Sequence, residues 1–108
     1  MKMFVHPHIG HFVAEAEANE PSLLASYLQG DIHGSEYSCA ELLDLVQSVL
    51  MGKLVEADYS GDIHECTIEK DGVHIRRWDG TEECDLSLGQ FLQYLRQWQA
   101  LIKNESTK

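Results

Sequence analysis

Histidine and cysteine are the residue types here best suited to metal binding or nucleophilic attack, and the chain holds 6 of the first and 3 of the second. His6, His8 and His11 form the pattern His-x-His-x-x-His. On a strand His6 and His8 would share a face, and His11 could join them only across a turn. Zinc takes about four ligands in tetrahedral geometry, and nothing in the chain points to the others. Structural or turn roles are therefore expected for these histidines, and no metal site. Cys39, Cys66 and Cys84 are odd in number and lack CxxC spacing, which suits reduced thiols rather than disulfides or zinc. A cysteine nucleophile needs an accessible, electropositive setting. Cys66 and Cys84 fall on the apolar face of a strand pattern, while Cys39 sits in a helix's first turn with Glu36 and Glu41 close by in sequence. Buried, inert thiols follow. No GxSxG, HExxH, GxxxxGK[ST] or GxGxxG occurs. Among 18 acids close carboxylate pairs arise by chance, and nothing in the sequence signals the sugar-binding cleft that a glycosidase dyad needs. No catalytic residue and no cofactor is expected.

Charge points elsewhere. Against those 18 acids stand 8 Lys and Arg, a formal net charge of −10. Such a surface repels phosphate backbones, which argues against nucleic acid as a direct ligand. It attracts a basic partner and speeds the encounter. The N-terminal apolar residues are interrupted by His6, Pro7, His8 and His11, so no signal peptide is expected. No apolar run approaches the ~18 residues of a membrane span. A reduced, cytoplasmic protein is the expectation.

With 108 residues and a 44% hydrophobic share, the chain has room for one folded core, so residues 1–108 are expected to form a single domain. Ser38-Cys39-Ala40-Glu41 has the form of a capping box, followed by Leu42, Leu45, Val46, Val49 and Leu50 at helical spacing and by Gly52 as a stop. Ser87-Leu88-Gly89-Gln90 repeats the box ahead of Leu88, Phe91, Leu92, Leu95, Trp98 and Ile102. A shorter helix is expected over 21–29, between Pro21 and Gly30. Residues 30–37 read as a loop and 104–108 as a frayed tail. Residues 1–17 read as one or two strands around His6-Pro7, and 38–102 as a helix–meander–helix core.

Between the two strong helices, Asp71-Gly72 and Asp79-Gly80 suit two-residue type I′ turns, and Gly61-Asp62 can serve as a third. This gives a four-stranded antiparallel meander over about 53–86, with strands 53–60, 63–70, 73–78 and 81–86. Packed on two or three helices, it makes an α+β fold. One face collects Val55, Ala57, Cys66, Ile68, Val73, Ile75, Cys84 and Leu86, with Ala57 opposite Cys66, Val55 opposite Ile68, and Ile75 opposite Ile68 and Cys84. The other collects Leu54, Glu56, Asp58, Glu65, Thr67, Glu69, His74, Arg76, Trp78, Glu83 and Asp85. There Glu69 would meet His74, Arg76 would meet Glu83, and His74 would meet Asp85, whereas Asp58 opposite Glu65 would be a costly like-charge pair. Arg76 and Trp78 are of the type that anchors interfaces. The expected partner-binding residues are Glu56, Asp58, Glu65, Glu69, His74, Arg76, Trp78, Glu83 and Asp85. A competing surface is the N-terminal segment with the loop 30–37, which carries Asp31 and Glu36.

The runs Glu41-Leu42-Leu43, Val49-Leu50-Met51-Gly52-Lys53, Asp58-Tyr59-Ser60-Gly61-Asp62 and Cys66 to Ile75 resemble small bacterial immunity proteins of polymorphic toxin systems, including contact-dependent growth inhibition. Ser87, Phe91, Leu92, Leu95 and Trp98 continue the likeness, which covers about residues 38–102. Gly61-Asp62 stands where Gly-Asn is expected, and the N-terminal segment has no counterpart. The resemblance implies an inhibitor that binds one cognate toxin, commonly a nuclease, and blocks it. The alternatives are an acidic adaptor or regulatory subunit of an unrelated complex and, third, an enzyme of unrecognised type.

Overall fold

The computed structural model describes residues 1–106 and has an α+β architecture. Strands β1 (Lys2–Val5) and β2 (Phe12–Glu15) form an antiparallel hairpin around the His6-Pro7 turn. Helix α1 (Ser22–Tyr27) leads into a π-helical turn, Leu28–Ile32. Helix α2 (Glu36–Leu50) precedes the meander β3 (Glu56–Asp58), β4 (His64–Glu69), β5 (Gly72–Arg77) and β6 (Glu83–Leu86), ordered β3-β4-β5-β6. Helix α3 (Leu88–Ser106) closes the fold.

The helices follow their apolar stripes. All six residues expected to line α3 (Leu88, Phe91, Leu92, Leu95, Trp98 and Ile102) are buried. Ser87 and Gln90 cap it reciprocally, each side chain bonding the other's amide at 3.1 Å. Helix α2 begins earlier than the Ser38 box suggests. Ser35 is its N-cap and accepts the Ser38 amide, so Ser38 and Glu41 lie inside the helix. Its end is a Schellman motif: Lys53 N–H bonds Ser48 C=O, and Gly52, at φ +80°, bonds Val49 C=O. That wrap draws Lys53 and Leu54 back onto the helix end and shortens β3 to three residues. Val55, expected on the buried face, is consequently 90% exposed, and Leu54 lies outside the sheet.

Two further expectations are corrected. Gly30 does not end the first helical segment, because the π turn carries on to bury Leu28 and Ile32, leaving only His33–Ser35 outside helices. At the other end α3 runs on to Ser106, through the expected frayed tail, whose residues 107–108 lie outside the described part.

The sheet keeps the expected faces but not all the expected pairs. β5 and β6 pair as anticipated, Ile75 with Cys84 and Arg76 with Glu83. In the other two ladders the register is displaced by two. Ala57 lies opposite Ile68 rather than Cys66, and Ile68 opposite Val73 rather than Ile75. The β4–β5 loop is Lys70-Asp71, closed by Glu69 opposite Gly72. Only Gly72 takes positive φ there, so the turn is not type I′. Gly72 also passes so close to β6 that a Cβ would lie 2.6 Å from Leu86 O. A slip of two leaves each side chain on its face. Cys66, Ile68, Val73, Ile75 and Leu86 therefore all remain in the core, against α2, α3 and α1.

Candidate functional site

The outer face of the meander assembles most of the expected partner-binding residues in rows across the strands. One row is Glu65, Arg76 and Glu83; the next is Asp58, Thr67, His74 and Asp85; the third is Glu56 with Glu69. Arg76 Nε bonds Glu65 at 3.2 Å, and its guanidinium carbon lies 5.9 Å from the Trp78 ring centre. Trp78 is 48% exposed, yet its Nε1–H donates to Gly61 O at 2.8 Å, so the ring is presented in one orientation. His74 Nδ1 sits 2.9 Å from Asp85 and its Nε2 4.0 Å from Glu83. Asp79, in the β5–β6 loop, is held below the usual carboxylate range by the Thr81 hydroxyl and amide.

Two expected contacts are absent. Asp58 faces Thr67, not Glu65, and its carboxylate takes the Ser60 amide and hydroxyl, which turns the chain out of β3. Glu69 faces Gly72, not His74. The displaced register instead sets Glu56 directly opposite Glu69, a like-charge pair with no ion-pair partner among the described residues. The destabilising juxtaposition expected at Asp58–Glu65 thus exists one row along the same face.

The competing surface does not form as expected. Asp31 is 4% exposed, taking the Ile63 amide at 3.1 Å and the His64 amide at 2.8 Å. It joins the π turn to the start of β4. Gly61 passes close beside it: a Cβ there would lie 2.4 Å from the Asp31 carboxyl carbon and would push that side chain off its bonds.

That same carboxylate belongs to a constellation that short motifs in the sequence do not signal. His64, fully buried, places Nδ1 2.8 Å from Asp31 Oδ2 and Nε2 3.1 Å from Ser26 Oγ. Ser26 borders an open cleft of about 730 Å³ between β2 and the α1–π segment, whose lining includes Phe12, Ala14, Gln29 and His33. Residues 26, 31 and 64 stand on three different elements, so no spacing rule could join them.

The cysteines are free thiols, and burial pushes each up: Cys39 to about 11, Cys66 to about 12, Cys84 to about 11. His6 Nδ1 accepts the His8 amide at 3.2 Å within the hairpin turn. No helix among the described residues is long and apolar enough to cross a membrane. No protein-family model, no curated protein and no solved structure matches the chain.

Proposed function

We propose that this protein is an immunity protein that binds a basic toxin domain, a nuclease, and neutralises it by covering its active or substrate-binding surface in the cytoplasm. The observation that carries this reading is the outer face of the sheet. Six carboxylates (Glu56, Asp58, Glu65, Glu69, Glu83 and Asp85) share this face with the Arg76–Trp78 pair: Glu65 and Glu83 flank Arg76, and Glu56 and Glu69 stand opposed, without an ion-pair partner among the described residues, toward the other end of the strands. A like-charge pair on a sheet costs stability that a cationic partner restores on docking. A nuclease is basic where it holds phosphates, so an acidic face fits that surface. The likeness of residues 38–102 to immunity proteins of toxin systems supports the same conclusion.

The test is co-expression with the neighbouring gene's product, asking whether that product is toxic alone and harmless with this chain. Association and dissociation rates then locate the surface. Glu56→Lys with Glu69→Lys should slow association and weaken its salt dependence, because charges at the edge of an interface act mainly by steering. Trp78→Ala should speed dissociation, by roughly 2 kcal/mol or more for a buried aromatic anchor. Parental rates in both variants, with protection intact, would move the docking surface off the sheet. A neighbouring product harmless by itself would remove the immunity reading.

A further inference from the structure

Asp31, His64 and Ser26 are bonded in series, and the chemistry of each fixes its role in the chain. An ionised carboxylate only accepts hydrogen bonds. Asp31 Oδ2 at 2.8 Å suits the tautomer that donates from Nδ1, and in that tautomer the Nε2 lone pair faces the Ser26 hydroxyl at 3.1 Å. The imidazole is held firmly, because Asp31 also takes the His64 and Ile63 amides. A hydroxyl within reach of a base that a third group orients is the arrangement of an activated nucleophile. Ser26 is only half buried and opens on the cleft. Gln29, one turn further along, lines the same cleft, and its Oε1 accepts the Ala14 amide at 3.0 Å. That bond leaves the Gln29 Nε2 hydrogens as the donors of this side chain for a developing negative charge.

We propose that Ser26 is a nucleophile and that this cleft hydrolyses small, uncharged carboxylic esters. The volume is that of a small-molecule site. Phe12, Ala14, Ala16 and Ala25 supply an apolar wall for an acyl chain. A net charge of −10 disfavours anionic substrates. Ser26 Oγ bonds to the ester carbonyl carbon while its proton passes to His64 Nε2, and Gln29 Nε2–H donates to the carbonyl oxygen as it becomes an oxyanion. The carbon–oxygen bond to the alcohol then breaks, and the alcohol leaves with the proton from His64. Water attacks the acyl-serine, giving its proton to His64, which returns it to Ser26 Oγ as the carboxylic acid departs. With one side-chain donor in place of a pair of backbone amides, turnover is slow.

The experiment treats the full chain with diisopropyl fluorophosphate and follows intact mass and peptide mapping, alongside p-nitrophenyl butyrate hydrolysis. One adduct on Ser26 is expected, with Ser26→Ala losing both adduct and hydrolysis while its circular dichroism spectrum and cooperative melt remain those of a folded protein. Gln29→Leu should keep the fold and slow both readouts by about 10²-fold, the lower effect of removing one oxyanion donor. A folded parent that remains unlabelled at Ser26, or a Ser26→Ala variant that hydrolyses at the parental rate, overturns the proposal. Neither outcome bears on toxin docking, which uses the opposite set of residues on the sheet.

Discussion

Gly72→Ala should be far more damaging than the same change at Gly80, although both take positive φ, Gly72 as the first residue of β5 and Gly80 in the β5–β6 loop. Gly80 has φ +77° with no atom within 4 Å of a Cβ, so alanine there meets only the left-handed backbone cost of roughly 1–2 kcal/mol. At Gly72, φ is +150° and the Cβ would lie 2.6 Å from Leu86 O. That is well inside the ~3.5 Å at which non-bonded heavy atoms rest. The obstacle is backbone, so relief requires β5 and β6 to part where Val73 pairs with Leu86, two residues of the core. Strained backbone costs about 1–3 kcal/mol, and forced repacking costs a similar amount again. A total near 3–4 kcal/mol is expected for Gly72→Ala. At about 4 °C or more per kcal/mol for a domain of this size, the melting temperature should fall by about 12 °C or more. Urea titration of both variants with matched m-values gives the difference directly. A gap between them below about 1 kcal/mol would refute the close approach at Leu86.

The thiols supply a second check: with Cys39, Cys66 and Cys84 raised to about 11, 12 and 11, native protein at pH 8 should react with a disulfide reagent far more slowly than urea-unfolded protein. More than one thiol titrating within the mixing time would contradict the burial of Cys39 and Cys66, since Cys84 is only partly buried. Trp98→Phe removes the Nε1–H that His33 O accepts at 2.7 Å and leaves core space unfilled, an expected loss of about 2–3 kcal/mol in chemical denaturation. A loss under about 0.5 kcal/mol would mean that tie contributes nothing. Glu20 is lowered from 4.5 to about 2, chiefly by its bond to the N-terminal ammonium. Its folded value lies below its unfolded one, so its stabilisation is complete above about pH 4.5 and disappears as pH falls toward 2. Glu20→Gln should therefore narrow the parent's drop in melting temperature across that window, and identical pH profiles would count against the pairing.

Much of the fold is legible in the residues because its signals are periodic and local. The apolar stripe of α3 and the Ser87–Gln90 box act within a single helix, and both operate as written. Alternation with period two assigns faces but fixes register only to within two residues, which is why Cys66 and Ile68 are buried as expected while their partners differ. The expected Asp58–Glu65 clash failed for that reason, and Glu56–Glu69 took its place. Gly30 looks like a helix stop, yet burial of Leu28 and Ile32 and the bonds of Asp31 outweigh its local preference. Ser35 rather than Ser38 caps α2, its hydroxyl accepting the Ser38 amide, and Cys39 inside the helix is buried. The Ser26–His64–Asp31 chain depends on tertiary closure between residues up to 38 apart, and no local rule encodes it.

The segment from Glu20 to His33 is held largely by groups that arrive from far along the chain. Tyr94 reaches Glu20, Trp98 reaches His33, Tyr59 takes the Tyr27 hydroxyl, and Asp31 meets Ile63 and His64. Its six-residue α-helix is too short to persist alone. Amide protons here therefore cannot exchange by local fraying while those distant bonds stand, and their protection should approach that of the whole molecule. Helix α3 thus helps to hold the cleft beside Ser26, since its Tyr94 and Trp98 fasten the two ends of the segment that walls it.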